Sequence, residues 1–219
     1  AILFANAKTK EFLASQAEDS SATRNDIEID SVYDYAQTVI DEEGHCTNLV
    51  GFIFHPDRNG FRLPTEAEWI KAASTNWDPT YSWNVSNSNF MAHNVCTKAS
   101  GDSAFCDLAG NVMEWTNDWL GKFKDTTITN YVGAPDGGEL GERVVKGGNF
   151  NTEAKSLDTY SRGDVYTVTS STRADYVGFR LAYGTIPNPT WMNDDGSATN
   201  NIITALASSF DIYSYTKSY

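Results

Sequence analysis

Three cysteines and three histidines are the side chains of this sequence best suited to metal or redox chemistry, and their spacing limits what they can do. Cys96 and Cys106 are separated by a stretch containing Gly, Ser and Asp. In an oxidising compartment they could close a short loop, a link worth about 3 kcal/mol by loop entropy; in a reducing one they stay free. Cys46 is then left over, most simply as a small hydrophobe. His45, His55 and His93 share no i, i+3 or i, i+4 helical face, whereas a histidine-based iron site needs about three converging ligands. Each reads as a surface or loop histidine. No Gly-x-Ser-x-Gly elbow marks a nucleophilic serine. The remaining chemistry is recognition. The polar stretch 151–176 carries Tyr160, Arg162, Tyr166, Arg173 and Tyr176, and Tyr and Arg on Ser/Asn-rich loops build binding surfaces. Trp83 and Phe90 stand in a second polar stretch of the same kind.

The whole-chain balance narrows the partners. The 29 acidic residues outnumber the 16 basic ones, for a formal charge of -13. That field repels phosphate backbones and anionic membranes, so nucleic acid is excluded as a partner. It suits hard cations such as calcium, or simply a soluble surface. At 219 residues the chain can bury a real core without staples. No apolar run approaches the roughly 20 residues of a membrane span. The sequence opens on Ala1-Ile2-Leu3-Phe4, inside a helical pattern, and reads as a piece of a longer protein whose targeting signal would lie upstream.

The elements that must position these groups are legible in part. Residues 1–13 read as the last turns of an amphipathic helix. Runs 32–40 and 49–54, with a Glu43-Gly44 turn between them, read as a hairpin. Thr65 followed by Glu68 is a capping box, so a helix should run from there to about Ser74, with Trp69, Ala72 and Ala73 on one face and Arg62 bracing the turn before it. Trp115 and Trp119, at helix-like spacing, read as core. Arg143–Lys146 reads as a strand ending in Gly147-Gly148, and 175–183 as a strand pairing near it. Residues 185–219 read as a linker and C-terminal extension, with an apolar run at Ile202–Ala207 and an alternating one at Phe210–Tyr215.

Three blocks then carry a resemblance: Gly60-Phe61-Arg62-Leu63-Pro64-Thr65-Glu66-Ala67-Glu68-Trp69; Asp107-Leu108-Ala109-Gly110-Asn111-Val112-Met113-Glu114-Trp115; and Lys146-Gly147-Gly148-Asn149-Phe150 answered by Val177-Gly178-Phe179-Arg180-Leu181. Together, over residues 1–184, the sequence resembles the formylglycine-generating enzyme (sulfatase-modifying factor) family. The resemblance implies an α+β, C-type lectin-like domain with a small central antiparallel sheet, few helices and much ordered loop. It implies a copper-binding cysteine pair just after the Gly-Gly step, but those positions are Thr152 and Leu157 here, so no copper is expected. It implies a structural calcium held by the Asp107 and Glu114 side chains and the Gly110 and Val112 carbonyls. The alternative for Glu114 is a cap or salt bridge within the core. Asn89 matches one ligand of a second calcium site less well. It also places the ligand face on stretch 151–176, flanked by Trp83 and Phe90. The inserted hairpin and the tail resemble a subgroup from cellulolytic anaerobic bacteria, where the module precedes a propeller-like domain in extracytoplasmic proteins.

The expectation is therefore a non-catalytic binding or structural module, a pseudoenzyme with a glycan or protein ligand, extracytoplasmic and calcium-stabilised. The alternative is a metal-dependent oxidoreductase of the same family with a relocated histidine/carboxylate site. A plain spacer between domains is a third reading.

Overall fold

The first helix, α1 (Ile2–Gln16), buries only Ala5 and Thr9, one turn apart. Those two small residues let it lie close to the start of the hairpin, where Ala5, Val32 and Tyr33 pack together. Thr9 Oγ1 also accepts the Phe61 N–H at 2.8 Å, which ties α1 to the first motif block. The structure is a computed structural model and describes residues 1–16, 30–98, 105–122, 125–137, 141–163, 168–193 and 195–200.

The expected hairpin is present with two offsets. Strand β1 (Tyr33–Asp34) pairs with β4 (Ile53–Phe54), and β2 (Gln37–Ile40) pairs with β3 (Cys46–Val50), both antiparallel. The second arm therefore begins at Cys46, before the apolar run, because Thr47 Oγ1 can reach across to Val39 O. Gly44 turns the hairpin at a positive φ.

Strand β5 (Phe61–Arg62) leads into α2 (Glu66–Asn76). The capping box forms as the sequence requires: Thr65 Oγ1 accepts from Glu68 N, and the Glu68 carboxylate accepts from Thr65 N. Arg62 grips the same carboxylate with both terminal nitrogens, at 2.6 and 2.7 Å. Burial works against the Glu68 charge, but the Arg62 guanidinium and the Thr65 bonds outweigh it and hold the carboxyl below its ordinary value. Trp69 and Ala73 face inward against Leu108.

The central sheet runs β7–β6–β8, with β6 (Met113–Trp119) in the middle, β7 (Arg143–Lys146) antiparallel to it and β8 (Val177–Phe179) parallel. Two expectations change here. Trp115 and Trp119 lie on a strand, where residues four apart also share a face. The 175–183 segment pairs with β6, not with β7, and breaks after Phe179. Its far end, β9 (Ala182–Tyr183), pairs with β5. Met113, Val145 and Val168 form the core beside the sheet.

After residue 184 the chain stays packed as far as it is described. Ile186 and Trp191 bury against Val132, and β10 (Trp191–Met192) pairs with β11 (Ala198–Thr199). The expected runs at Ile202–Ala207 and Phe210–Tyr215 lie outside the described residues. Among the described residues no helix is long and apolar enough to cross a membrane.

Candidate functional site

The Gly147-Gly148 step is packed closely on both sides. Both residues adopt positive φ, and a Cβ on Gly147 would stand 2.6 Å from Leu108 O. A Cβ on Gly148 would meet Leu157 Cδ2 at 2.5 Å and Thr152 Oγ1 at 3.2 Å. The side chains of Thr152 and Leu157 thus converge on one point over the glycine, where only hydrogen fits. Leu157 is buried there as an apolar residue. The Thr152 hydroxyl accepts the Asn149 N–H at 3.0 Å. Asn149 is fully buried, and its Nδ2 has no hydrogen-bond partner. The groups gathered at this step are thus methyls, one hydroxyl and one amide.

The second motif folds over the Gly-Gly step by backbone geometry. Asp107, Gly110 and Asn111 all take positive φ. Gly110 N donates to Gly147 O, Asn111 N to Trp83 O, and Phe150 N to Asn111 O, each at 2.8 Å. A Cβ on Gly110 would press to 2.2 Å from Trp83 O, so this turn needs glycine. The Asn111 amide clips His93 through its backbone N and O.

Glu114 forms a salt bridge with Arg180. Arg180 Nε and Nη2 each donate to it at 2.5 Å, and Trp69 Nε1 donates to the same carboxylate at 2.7 Å. Arg180 Nη2 also donates to Cys106 O at 3.0 Å, so one guanidinium spans both ends of segment 106–114. Asp107 Oδ2 accepts the Cys96 N–H at 2.6 Å, and Cys96 and Cys106 are disulfide-bonded. The fit to calcium is partial. The loop is closed and carries the two carboxylates, but Glu114 is already charge-compensated and a divalent ion would share it with Arg180.

The expected recognition residues separate into groups. Trp83 stacks face to face on His93 at 3.6 Å, with Lys98 Nζ 4.1 Å from the Trp83 ring centroid. Phe90 is 69% and Tyr160 70% exposed. Val85 N bonds to Thr152 O, and Ser88 Oγ to Phe150 O, so the Trp83–Phe90 loop is fastened to the segment that follows Gly148. Arg162 turns inward instead, pairing with Glu66 and donating to Gly121 O. Arg173 lies against the hairpin, bonded to Asp41 at 3.1 Å. Tyr166 lies outside the described residues. His45 sits beside Asp41 and Glu43, and His55 beside Asp34, each on its own element.

No local pattern announces the charge cluster around Glu66, because its members come from five segments. Glu66 takes Lys146 Nζ at 3.4 Å as well as Arg162, and its N–H donates to Asp118 Oδ2 at 2.8 Å. Burial, reinforced by the Glu66 charge, pushes Asp118 up to about 8, and its Oδ1 has no partner. Burial and the Asp118 charge push Tyr131 up to about 12. Burial lowers Lys146 despite Glu66. A Glu in the first turn of a helix, here one of two with Glu68, gives no local sign of such partners.

Comparison with known proteins bears on this arrangement. A family model described as "Sulfatase-modifying factor enzyme 1-like domain" matches residues 4–184. A curated protein of Thermomonospora curvata, "Formylglycine-generating enzyme", is 31% identical over 149 residues, covering 56% of this chain and 49% of that protein. The chain therefore spans about half the length of that relative. Among solved structures, "Treponema denticola variable protein 1" superposes with a TM-score of 0.55 at 24% identity, over 84% of this chain and 70% of that one. The structure titled "Crystal Structure of CarF" gives 0.47 at 21%, over 84% and 64%.

Proposed function

The chain belongs to the sulfatase-modifying factor enzyme 1-like family, and from that premise we propose that it is a non-catalytic, ligand-binding member whose ligand is a glycan or a protein. One observation carries this reading: Thr152 and Leu157, at the positions where the resembled enzymes hold their thiolates, meet over Gly148 with neither offering sulfur. A soft Cu(I) centre needs thiolate. Cys46 lies on the hairpin, and the other two cysteines are joined to each other. The ligand face is the fastened loop of Trp83 and Phe90 together with Tyr160; the exposed rings of Phe90 and Tyr160 suit stacking or burial against a partner.

An extracytoplasmic location is supported by the Cys96–Cys106 bond, which persists in oxidising compartments. Calcium would be held by Asp107, Gly110, Val112 and Glu114, the last shared with Arg180; bound there, it would brace segment 106–114. Metal analysis of protein purified with calcium, then dialysed against chelator, checks it. Stoichiometric calcium and a lower melting temperature after its removal are expected; no calcium and an unchanged melting curve would leave Arg180 as the sole counter-charge.

The decisive experiment pairs two assays. With copper supplied, the protein should convert no cysteinyl peptide to its aldehyde. On a glycan and protein array, Phe90→Ala/Tyr160→Ala should lose the hits of the parent at unchanged melting temperature. Aldehyde formation would end the non-catalytic reading; array hits that survive the double variant would move the ligand face elsewhere.

A further inference from the structure

Beside the inserted hairpin the chain encloses a cavity of about 950 Å³. Cys46, Thr47, Asn48 and Leu49 of β3 all line it, and no residue of β2 does. A strand's face offers alternate residues to a cavity, whereas consecutive ones mean that the edge is turned toward it. Among the described residues β3 pairs with β2 alone. Its other edge therefore presents backbone groups that can pair with another strand, although the Leu49 N–H is held by Asn48 Oδ1 at 2.9 Å, a bond that an incoming strand would have to displace wherever it needs that donor.

Arg143 also lines this cavity. Its guanidinium lies 3.3 Å from the Trp119 ring centroid and 5.4 Å from that of Phe52. Nη1 donates to Asn117 O at 2.6 Å. Among the described residues no carboxylate comes within ion-pair distance of it; Tyr33 and Asp118 are the titratable groups that act on it. Burial lowers its pKa to about 10, the mark of a guanidinium short of counter-charge. Arg173, also in the lining, is engaged with Asp41, and the Asp136 carboxylate lines the same cavity, so Arg143 is the side-chain cation left to receive an acidic group.

We propose that this slot docks an extended acidic peptide segment, which adds a strand to the free edge of β3, sets a carboxylate on Arg143 and lays its apolar side chains on the aromatic lining. Each part follows from an observed feature. The edge supplies main-chain bonds, and the alternation of a strand sends one set of side chains inward. Arg binds carboxylate with a fork of two N–H groups, and its stacked plane is already oriented for this. The volume lies at the upper end of ordinary ligand pockets, room for several residues of extended chain. The chain's net charge of -13 opposes such a partner at long range, so association should speed up as salt screens that field. The proposal is independent of the reading drawn from Thr152 and Leu157.

The test uses capped peptides alternating Glu with Val and Phe, a counterpart with Lys for Glu, and a version N-methylated on alternate backbone nitrogens. Binding is followed by calorimetry and by the rate at which Cys46, the free thiol on the slot's edge, reacts with an aromatic disulfide reagent. The Glu peptide should bind and slow that reaction. The Lys and N-methylated peptides should bind about tenfold more weakly or worse. Arg143→Lys should weaken the Glu peptide about tenfold. Ser171→Trp, which adds bulk to the slot's lining, should do the same. Equal affinity for the Glu and Lys peptides, indifference to N-methylation, or binding without protection of Cys46 would overturn the proposal. So would a Cys46 already inert in the free chain, or one shielded merely by raising protein concentration, since the chain itself or a second copy would then occupy the slot.

Discussion

Arg180 and Arg143 stand on either side of the same strand. Arg180 follows β8 and Arg143 opens β7, and both strands flank β6. Arg180 meets a carboxylate with two nitrogens and a carbonyl with one of them. Arg143 meets one carbonyl and two aromatic rings. The first guanidinium is spent on closing segment 106–114 against the sheet. The second keeps donors to spare and faces a cavity. Charge within a fold becomes scaffold where its partners are internal, and recognition where they are not. By the same criterion Arg162, chosen from sequence as a ligand contact, belongs with Arg180, since Glu66 claims it.

The sharpest way to break this contrast is Glu114→Ala. It strands the Arg180 charge and the Trp69 indole N–H together, and should cost about 3–5 kcal/mol in urea unfolding. A cost under about 1 kcal/mol would mean that Arg180 is no more committed than Arg143. Next comes Asp118→Asn. The folded pKa of Asp118, about 8, lies above the roughly 3.9 of an unfolded aspartate. Between those values the folded state holds a proton that the unfolded chain has released, so stability falls as pH rises through that window and levels off above it. The amide that replaces the carboxyl cannot ionise. The variant should therefore gain a few degrees of melting temperature over the parent near pH 9, and little near pH 4. A constant difference across that range would reject the assignment. The smallest effect is expected for Arg143→Met. It keeps volume against Trp119 and removes a charge lacking a close counter-ion, so thermal or urea unfolding should shift by about 1 kcal/mol or less in either direction.

How much of this was legible depended on sequence distance. The capping box at Thr65 and Glu68 and the hairpin turn at Gly44 are local patterns, and both formed as read. The three motif blocks announced the fold, because Gly110, Gly147 and Gly148 are each required by a close approach. The parallel pairing of β8 with β6 had no local signature, since its partners lie more than sixty residues apart. Trp115 and Trp119 looked helical because a spacing of four fits one face of either element. The inward course of Arg162 was not legible for a related reason. Its partner Glu66 is 96 residues away, and nothing around Arg162 distinguishes a guanidinium turned inward from one held out.

The pairing of Phe61–Arg62 with Ala182–Tyr183, reinforced by the Arg62 bond to Gly184 O across 122 residues, bears on how the chain is made. A ribosome delivers the capped helix and its bracing arginine long before the carbonyl that completes their setting. The amino-terminal third must therefore wait, partly exposed, until residue 184 has emerged. During synthesis this module is vulnerable in proportion to the time between those two moments, and slower translation of the intervening codons should raise its demand for chaperones.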